Sequence, residues 1–160
     1  ARYYSVMHDT SGAGSDFDPR FNPNFRKMTA IQINPFVKYK GIEFFGIYEV
    51  VSGTTPAALN NTELGDGSYT QLGAELIYRF GNDENLYVGG RYNLVTGEST
   101  EQSETTEIDR LNVGLGWFMT KNVLAKVEYM NQNYSGDGWA GSRFENGNIQ
   151  GIMVEAVISF

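Results

Sequence analysis

Eleven charged side chains in this chain fall at positions that alternate with uncharged neighbours. Lys38, Lys40, Arg79, Arg91, Arg110 and Lys126 are positive; Glu43, Glu49, Glu75, Glu128 and Glu155 are negative. Two is the side-chain period of a β-strand, so each of these charges stands on one face of an extended segment. A nearly balanced set of this kind does one of two things. It cross-links as ion pairs in a packed interior, or it lines a wet wall on which opposite charges set up a transverse field. Hydrolysis is the other chemistry to weigh. His8 is the single histidine and lies near Asp9, Ser11 and Ser15, the residue types of a general base and a nucleophile. A histidine at the rim of a Ser-containing loop needs no such role, and no catalytic residue is assigned.

Carboxylates also gather outside the alternating segments. The stretches 10–27, 53–68, 97–107 and 135–147 together hold ten Asp or Glu and four Lys or Arg, with Glu98, Glu101, Glu104 and Glu107 in one of them. Such a surface raises the local concentration of cations. Asp9, Asp16 and Asp18, with Gly65-Asp66-Gly67 and Gly136-Asp137-Gly138, offer hard oxygen ligands, but none has the spacing of a calcium loop. No glycine-rich stretch leads into a helix as a phosphate cradle would. No metal site and no cofactor follow.

The elements that must hold the charges are strands. Alternation runs through 28–40, 42–52, 69–80, 85–96, 108–119, 122–134 and 148–160, with a weaker case at 1–9. In 69–80, Leu72, Ala74, Leu76, Tyr78 and Phe80 oppose Gln71, Gly73, Glu75, Ile77 and Arg79. In 108–119, Leu111, Val113, Leu115, Trp117 and Met119 oppose Arg110, Asn112, Gly114, Gly116 and Phe118. In 148–160, Ile152, Val154, Ala156, Ile158 and Phe160 share a face. Across the seven strong segments one face carries no charge except Asp109, near one end of 108–119; hydrocarbon imposes such a condition, since a Lys or Arg at mid-bilayer costs about 2–4 kcal/mol. Connections alternate as well. Lys40-Gly41, Gly81-Asn82-Asp83-Glu84 and Thr120-Lys121 are tight, while the acidic stretches are long.

Composition agrees with a β-protein rich in turns and aromatics: 19 Gly, 10 Tyr, 10 Phe, only 4 Pro and no Cys in 160 residues. No run of apolar residues is long enough for a membrane-spanning helix, but a spanning strand needs only about ten residues, every second one apolar. A net charge of −7 argues against nucleic acid as a partner. The expectation is one all-β domain over 1–160, a transmembrane antiparallel up-and-down β-barrel with eight strands in this chain.

The closing segment NIQGIMVEAVISF resembles the last strand of Gram-negative outer-membrane β-barrels, in which a terminal aromatic belongs to the signal read by the barrel-assembly machinery. RLNVGLGWFMTKNVLAKVEYMNQNY (110–134) followed by GIMVEAVISF resembles the final strands of porins of the phosphate-selective group and its relatives. The resemblance covers about the last fifty residues. No lysine ladder is present, so phosphate selectivity is not implied. What it implies is a bacterial outer-membrane location, with periplasmic termini, extracellular long loops, and lipid, lipopolysaccharide and the assembly machinery as partners. Trp117, Val154, Ile158 and Phe160 would then face lipid or carry the assembly signal. Lys38, Glu43, Glu49, Glu75, Arg79, Arg91, Arg110, Lys126, Glu128 and Glu155 would line a lumen for small polar solutes or ions. Loops 53–68 and 97–107 would narrow its mouth. A homotrimer, or association with other outer-membrane proteins, fits the same family. Two further readings stay open: a closed eight-stranded barrel of the OmpA and OmpX kind serving as anchor or adhesion surface, and an outer-membrane hydrolase around His8. Whether eight strands close alone or belong to a larger barrel is open too.

Overall fold

The structure, a computed structural model, describes residues 25, 27–56, 63–98, 104–142 and 144–160. Segment 1–9, with His8, Asp9 and the neighbouring serines, lies outside the described residues. So do Asp16, Asp18 and Glu101.

Eight strands form one antiparallel sheet: β1 (Lys27–Ile33), β2 (Phe36–Tyr39), β3 (Ile42–Pro56), β4 (Glu63–Phe80), β5 (Leu86–Glu98), β6 (Thr106–Thr120), β7 (Val123–Ser135) and β8 (Asn148–Ile158). They are laid down up-and-down in the order β1-β3-β4-β5-β6-β7-β8, with β2 also on β3. The sheet is open: β1 and β8 are its two edges. No α-helix occurs among the described residues, only single 3-10 turns at Asn82–Glu84 and Asp137–Trp139.

The count of eight among the described residues comes from a split of one expected strand. β1 and β2 are the two halves of the segment expected at 28–40, and they hold one continuous register against β3, from Lys27 opposite Thr54 to Tyr39 opposite Ile42. The interruption falls at Asn34-Pro35. Proline has no N–H to give the ladder. The Gly46 amide still donates to the Pro35 carbonyl at 2.9 Å, but Pro35 cannot return the bond. The ring of Pro35 also occupies the space beside Gly46, with Cγ 2.8 Å from where a Cβ would stand. Amide exchange is therefore expected to be faster in β2, four residues long and flanked by this gap, than in β4 or β5. Exchange followed by NMR checks this, and equal protection in the three strands would show that the gap does not loosen the ladder.

Connections follow local chemistry. Lys40 (φ 45) and Gly41 (φ 77) are both left-handed, the requirement of a two-residue type I′ hairpin turn. Lys121-Asn122 makes the other short turn, with a register shift between Phe118 and Thr120 leaving Met119 as an extra residue. Opposite these, the strands run further than the alternation predicts. β3 and β4 stay paired to Thr54 opposite Asp66 and, past an irregularity, Pro56 opposite Glu63. Much of 53–68 is thus ladder rather than loop, and β6 likewise begins at Thr106 inside the expected loop 97–107. Once a hairpin is in register, backbone pairing carries it onward without any apolar face to bury.

The strands are staggered one way. Stepping across the registers from Ile42, beside the first short turn, one meets Tyr78, Val88, Leu115, Val127 and Val154. Val154 lies four residues short of Ile158, where β8 ends. Four residues are about 13 Å along a strand and five strand spacings about 24 Å across, an inclination of roughly 30°. Stagger of this kind is what allows a sheet to curl.

Exposure is inverted relative to a water-soluble sheet. On one face Ile31, Tyr48, Leu72, Leu76, Leu115, Trp117, Ile152 and Val154 stand exposed, Leu76 at 55% and Val154 at 82%. On the other, Glu43, Arg79, Lys126 and Glu128 are half-buried or better. Among the described residues the only buried apolar side chains are Tyr69 and Tyr134.

Candidate functional site

The polar face is concave. Side chains from β4 to β8 line a single cavity of about 560 Å³, which takes in Glu75, Arg91, Arg110, Lys126 and Glu128. Five of the ten charged residues expected to line a lumen therefore share this cavity. Lys38, Glu43 and Arg79 lie on the same face toward the short-turn end, Glu155 on the edge strand β8, and Glu49 on β3 between Gln32 and Gln71.

Register decides who pairs with whom. Lys38 stands directly opposite Glu43, and Arg79 two residues along from its partner Ile77. Lys38 Nζ and Arg79 Nε both reach Glu43 Oε1 at 2.8 Å. The Arg79 guanidinium also lies over the rings of Tyr87 and Phe118, 5.6 and 5.4 Å from their centroids, so its charge meets two ring faces as well as a carboxylate. Tyr87 can lie there because β6 offers Gly116: a Cβ at that position would fall 1.9 Å from Tyr87 Cε1. This cluster closes the short-turn end of the concave wall.

In the middle, Lys126 Nζ approaches Glu128 Oε2 at 2.5 Å and Glu155 Oε2 at 4.0 Å, and Asn112 Nδ2 donates to Glu128 Oε1. Arg110 Nε donates to Gln132 Oε1 at 2.7 Å, and Gln132 Nε2 to Tyr134 Oη at 2.7 Å. Arg91 Nη1 stands 3.8 Å from Glu75 Oε2. Asn112, Gln132 and Asn93 are the neutral members of this set that charge counting passes over. Their signal is parity, since each sits in line with the charged residues of its own strand.

At the long-connection end the cover comes from the segment after β7. Tyr134 is 2% exposed beneath Trp139 and Phe144, whose ring centroids lie 5.5 and 5.0 Å away. Trp139 Nε1 donates to the Glu107 carbonyl at 3.1 Å, and the Gly138 amide to the Thr105 carbonyl at 3.0 Å. Two aromatics in a Gly-rich polar stretch were the available sign. The stretches expected to guard the mouth include 57–62 and 99–103, which lie outside the described residues.

Asp66 and Asp137 gather no partners of the metal-binding kind: no group of three His, Cys, Asp or Glu side chains converges among the described residues. Trp117, Val154, Ile158 and Phe160 all stand exposed, the last three at or beyond the edge strand. No protein-family model matches the chain, and neither a curated protein nor a solved structure shows significant similarity to it.

Proposed function

We propose that this chain forms the wall of a transmembrane β-barrel in a bacterial outer membrane, and that its polar face lines a pore for passive diffusion of small polar solutes or ions. The observation that carries the reading is the inverted exposure of the two faces. A contiguous apolar surface spanning the sheet has no stable place in water, whereas a bilayer requires it. Its height fits. The apolar run covers nine residues from Ile42 to Val50, from Leu72 to Phe80 and from Leu86 to Leu94, about 26 Å of strand, or some 20–25 Å of membrane once inclined. Tyr39, Phe44, Tyr78, Phe80, Trp117 and Phe160 lie near its short-turn edge and Tyr48, Tyr92 and Tyr129 near the other, as interfacial girdles do. On this reading the short turns are periplasmic and the long connections extracellular, with lipid and lipopolysaccharide flanking the wall.

Support for a pore over a plug comes from the pairing of the charges. Glu43, Lys126 and Glu128 find their partners on the same or neighbouring strands, so these charges need no opposite wall pressed against them. A closed eight-stranded barrel, acting as an anchor or adhesion surface, draws support from Arg79, Tyr87 and Phe118, which fill space as a packed interior does.

Planar-bilayer recording separates the two. The native protein should conduct, and Arg91→Ala with Arg110→Ala should raise the cation-over-anion permeability ratio about twofold or more at an ionic strength of about 0.1 M or below, where charge on the wall is least screened. Conductance with unchanged selectivity would sink the assignment of these arginines. Absence of conductance, with a denatured mass near 17.8 kDa for the polypeptide taken from its membrane, would favour the closed barrel.

A further inference from the structure

We propose that the concave wall carries a subsite for a small zwitterion, with the ligand's carboxylate on Arg91 and its ammonium group on Glu75. As a station for a permeating solute the subsite rests on the pore reading; as a binding site it does not. Arg91 and Glu75 are direct cross-strand partners on β5 and β4, and both line the cavity. Their side chains are 41% and 31% exposed, so both charged heads reach the space between them and solvent.

What sets this pair apart is that it is left incomplete. Lys38 and Arg79 meet Glu43 at 2.8 Å, and Lys126 meets Glu128 at 2.5 Å. Arg91 Nη1 and Glu75 Oε2 stop at 3.8 Å, too far for a hydrogen bond. The guanidinium fork and the carboxylate thus keep donors and acceptors available side by side. On the same face, the next cross-strand pair toward the long-connection end is Gly73 opposite Asn93. Asn93 Oδ1 is buried and accepts no hydrogen bond, a state that polar groups in proteins rarely keep. Asn93 in turn faces Arg110 on β6, which adds positive charge beside Arg91. Gly89 and Gly114, which pair with each other, also belong to the cavity lining and put no side chain of their own into it.

A molecule with an ammonium and a carboxylate on one carbon complements this arrangement. Its dipole lies antiparallel to the Arg91–Glu75 dipole, its carboxylate accepts from the fork, and its ammonium donates to Glu75. With a turn of the Asn93 carboxamide, the ammonium also supplies the donor that Oδ1 lacks. A simple anion would satisfy Arg91 and leave Glu75 facing a like charge. A simple cation would do the reverse.

Saturation-transfer NMR on the full protein in detergent, with glycine, acetate and methylammonium as probes, tests this directly. Glycine should bind at least tenfold more tightly than either half-molecule. Glu75→Gln should abolish that preference and leave acetate bound, and Arg91→Gln should lose glycine and acetate together. Circular dichroism would verify that both variants keep the sheet. Acetate binding as tightly as glycine, or no binding by glycine, would overturn the subsite. If glycine binds but bilayer recordings show no current, the pore reading fails and the subsite stands. If current flows without glycine binding, the reverse holds.

Discussion

Leu76→Arg is expected to destabilise the folded protein in lipid vesicles by about 2–4 kcal/mol, because it places a guanidinium at mid-depth of the apolar face. Leu76 is 55% exposed and centred in the run from Leu72 to Phe80 on an interior strand of the sheet. The expected effect falls with distance from that centre. Val50→Arg, at the upper edge of the same run, should cost about 0–1 kcal/mol. Ser68→Arg, beyond the run on the ladder that continues past it, should cost nothing measurable. Urea titration of vesicle-inserted protein gives all three values. A depth profile of this shape is a property of a bilayer. Equal costs at positions 76 and 50 would mean that some uniform apolar surface, such as another protein, covers this face instead.

Gly116→Val is expected to cost about 1–3 kcal/mol by overpacking alone, with a further loss from what it displaces. Tyr87 occupies the volume a side chain at 116 would need, with Cε1, Cζ and Oη all within 2.5 Å of the Cβ position. Neither β-strand can withdraw, because β5 and β6 are paired along their length, Tyr87 directly opposite Gly116. The ring must therefore leave, and Arg79 loses one of its two aromatic faces. Glu43, half-buried and dependent on Arg79 and Lys38, is then held less firmly. Tyr87→Ala should relieve the clash, so the double variant should recover much of the stability lost by Gly116→Val. Additive losses would show that Gly116 matters for a reason other than the ring above it.

Much of this was readable from alternation. The parity of Leu72, Leu76 and Phe80 against Glu75 and Arg79 fixes which side of β4 is apolar; toward the long-connection end the division lapses, with Asp66, Glu98 and Asp109 on the apolar parity of β4, β5 and β6. The tight turn at Lys40-Gly41 was readable too, since it has the one residue type that favours a left-handed backbone. The turn expected at Thr120-Lys121 lies one residue later, at Lys121-Asn122. Strand ends were not. Thr54, Asp66 and Ser68 have loop-like composition yet extend the ladder, because backbone pairing set in motion by the apolar run continues past it. Pro35, inside the expected strand 28–40, marks the break between β1 and β2, because it has no N–H to give the ladder. Within the site, parity found the charges but not their partners. That Arg79 reaches Glu43 while Arg91 faces Glu75 depends on the offsets between β3 and β4 and between β4 and β5, which the connections set rather than any local pattern. The packing of Trp139 and Phe144 onto Tyr134 was beyond reach for a similar reason, as loop residues declare a partner only once both ends of the loop are placed.

The near-absence of a core changes what each residue is answerable to. Tyr69 and Tyr134 alone are buried apolar side chains among the described residues, and both sit at the long-connection end. If lipid covers the apolar run, as proposed, a shortened side chain there leaves no cavity, because a fluid neighbour closes the gap, and the cavity penalty that polices ordinary interiors does not apply. Leucine, valine, isoleucine and phenylalanine there become nearly interchangeable. Constraint shifts to the inward side, where Gly116, Tyr87, Arg79 and Glu43 fit one another individually. Descendants of this chain should therefore drift freely on the face that covers most of the surface and hold still where the glycines and charges meet.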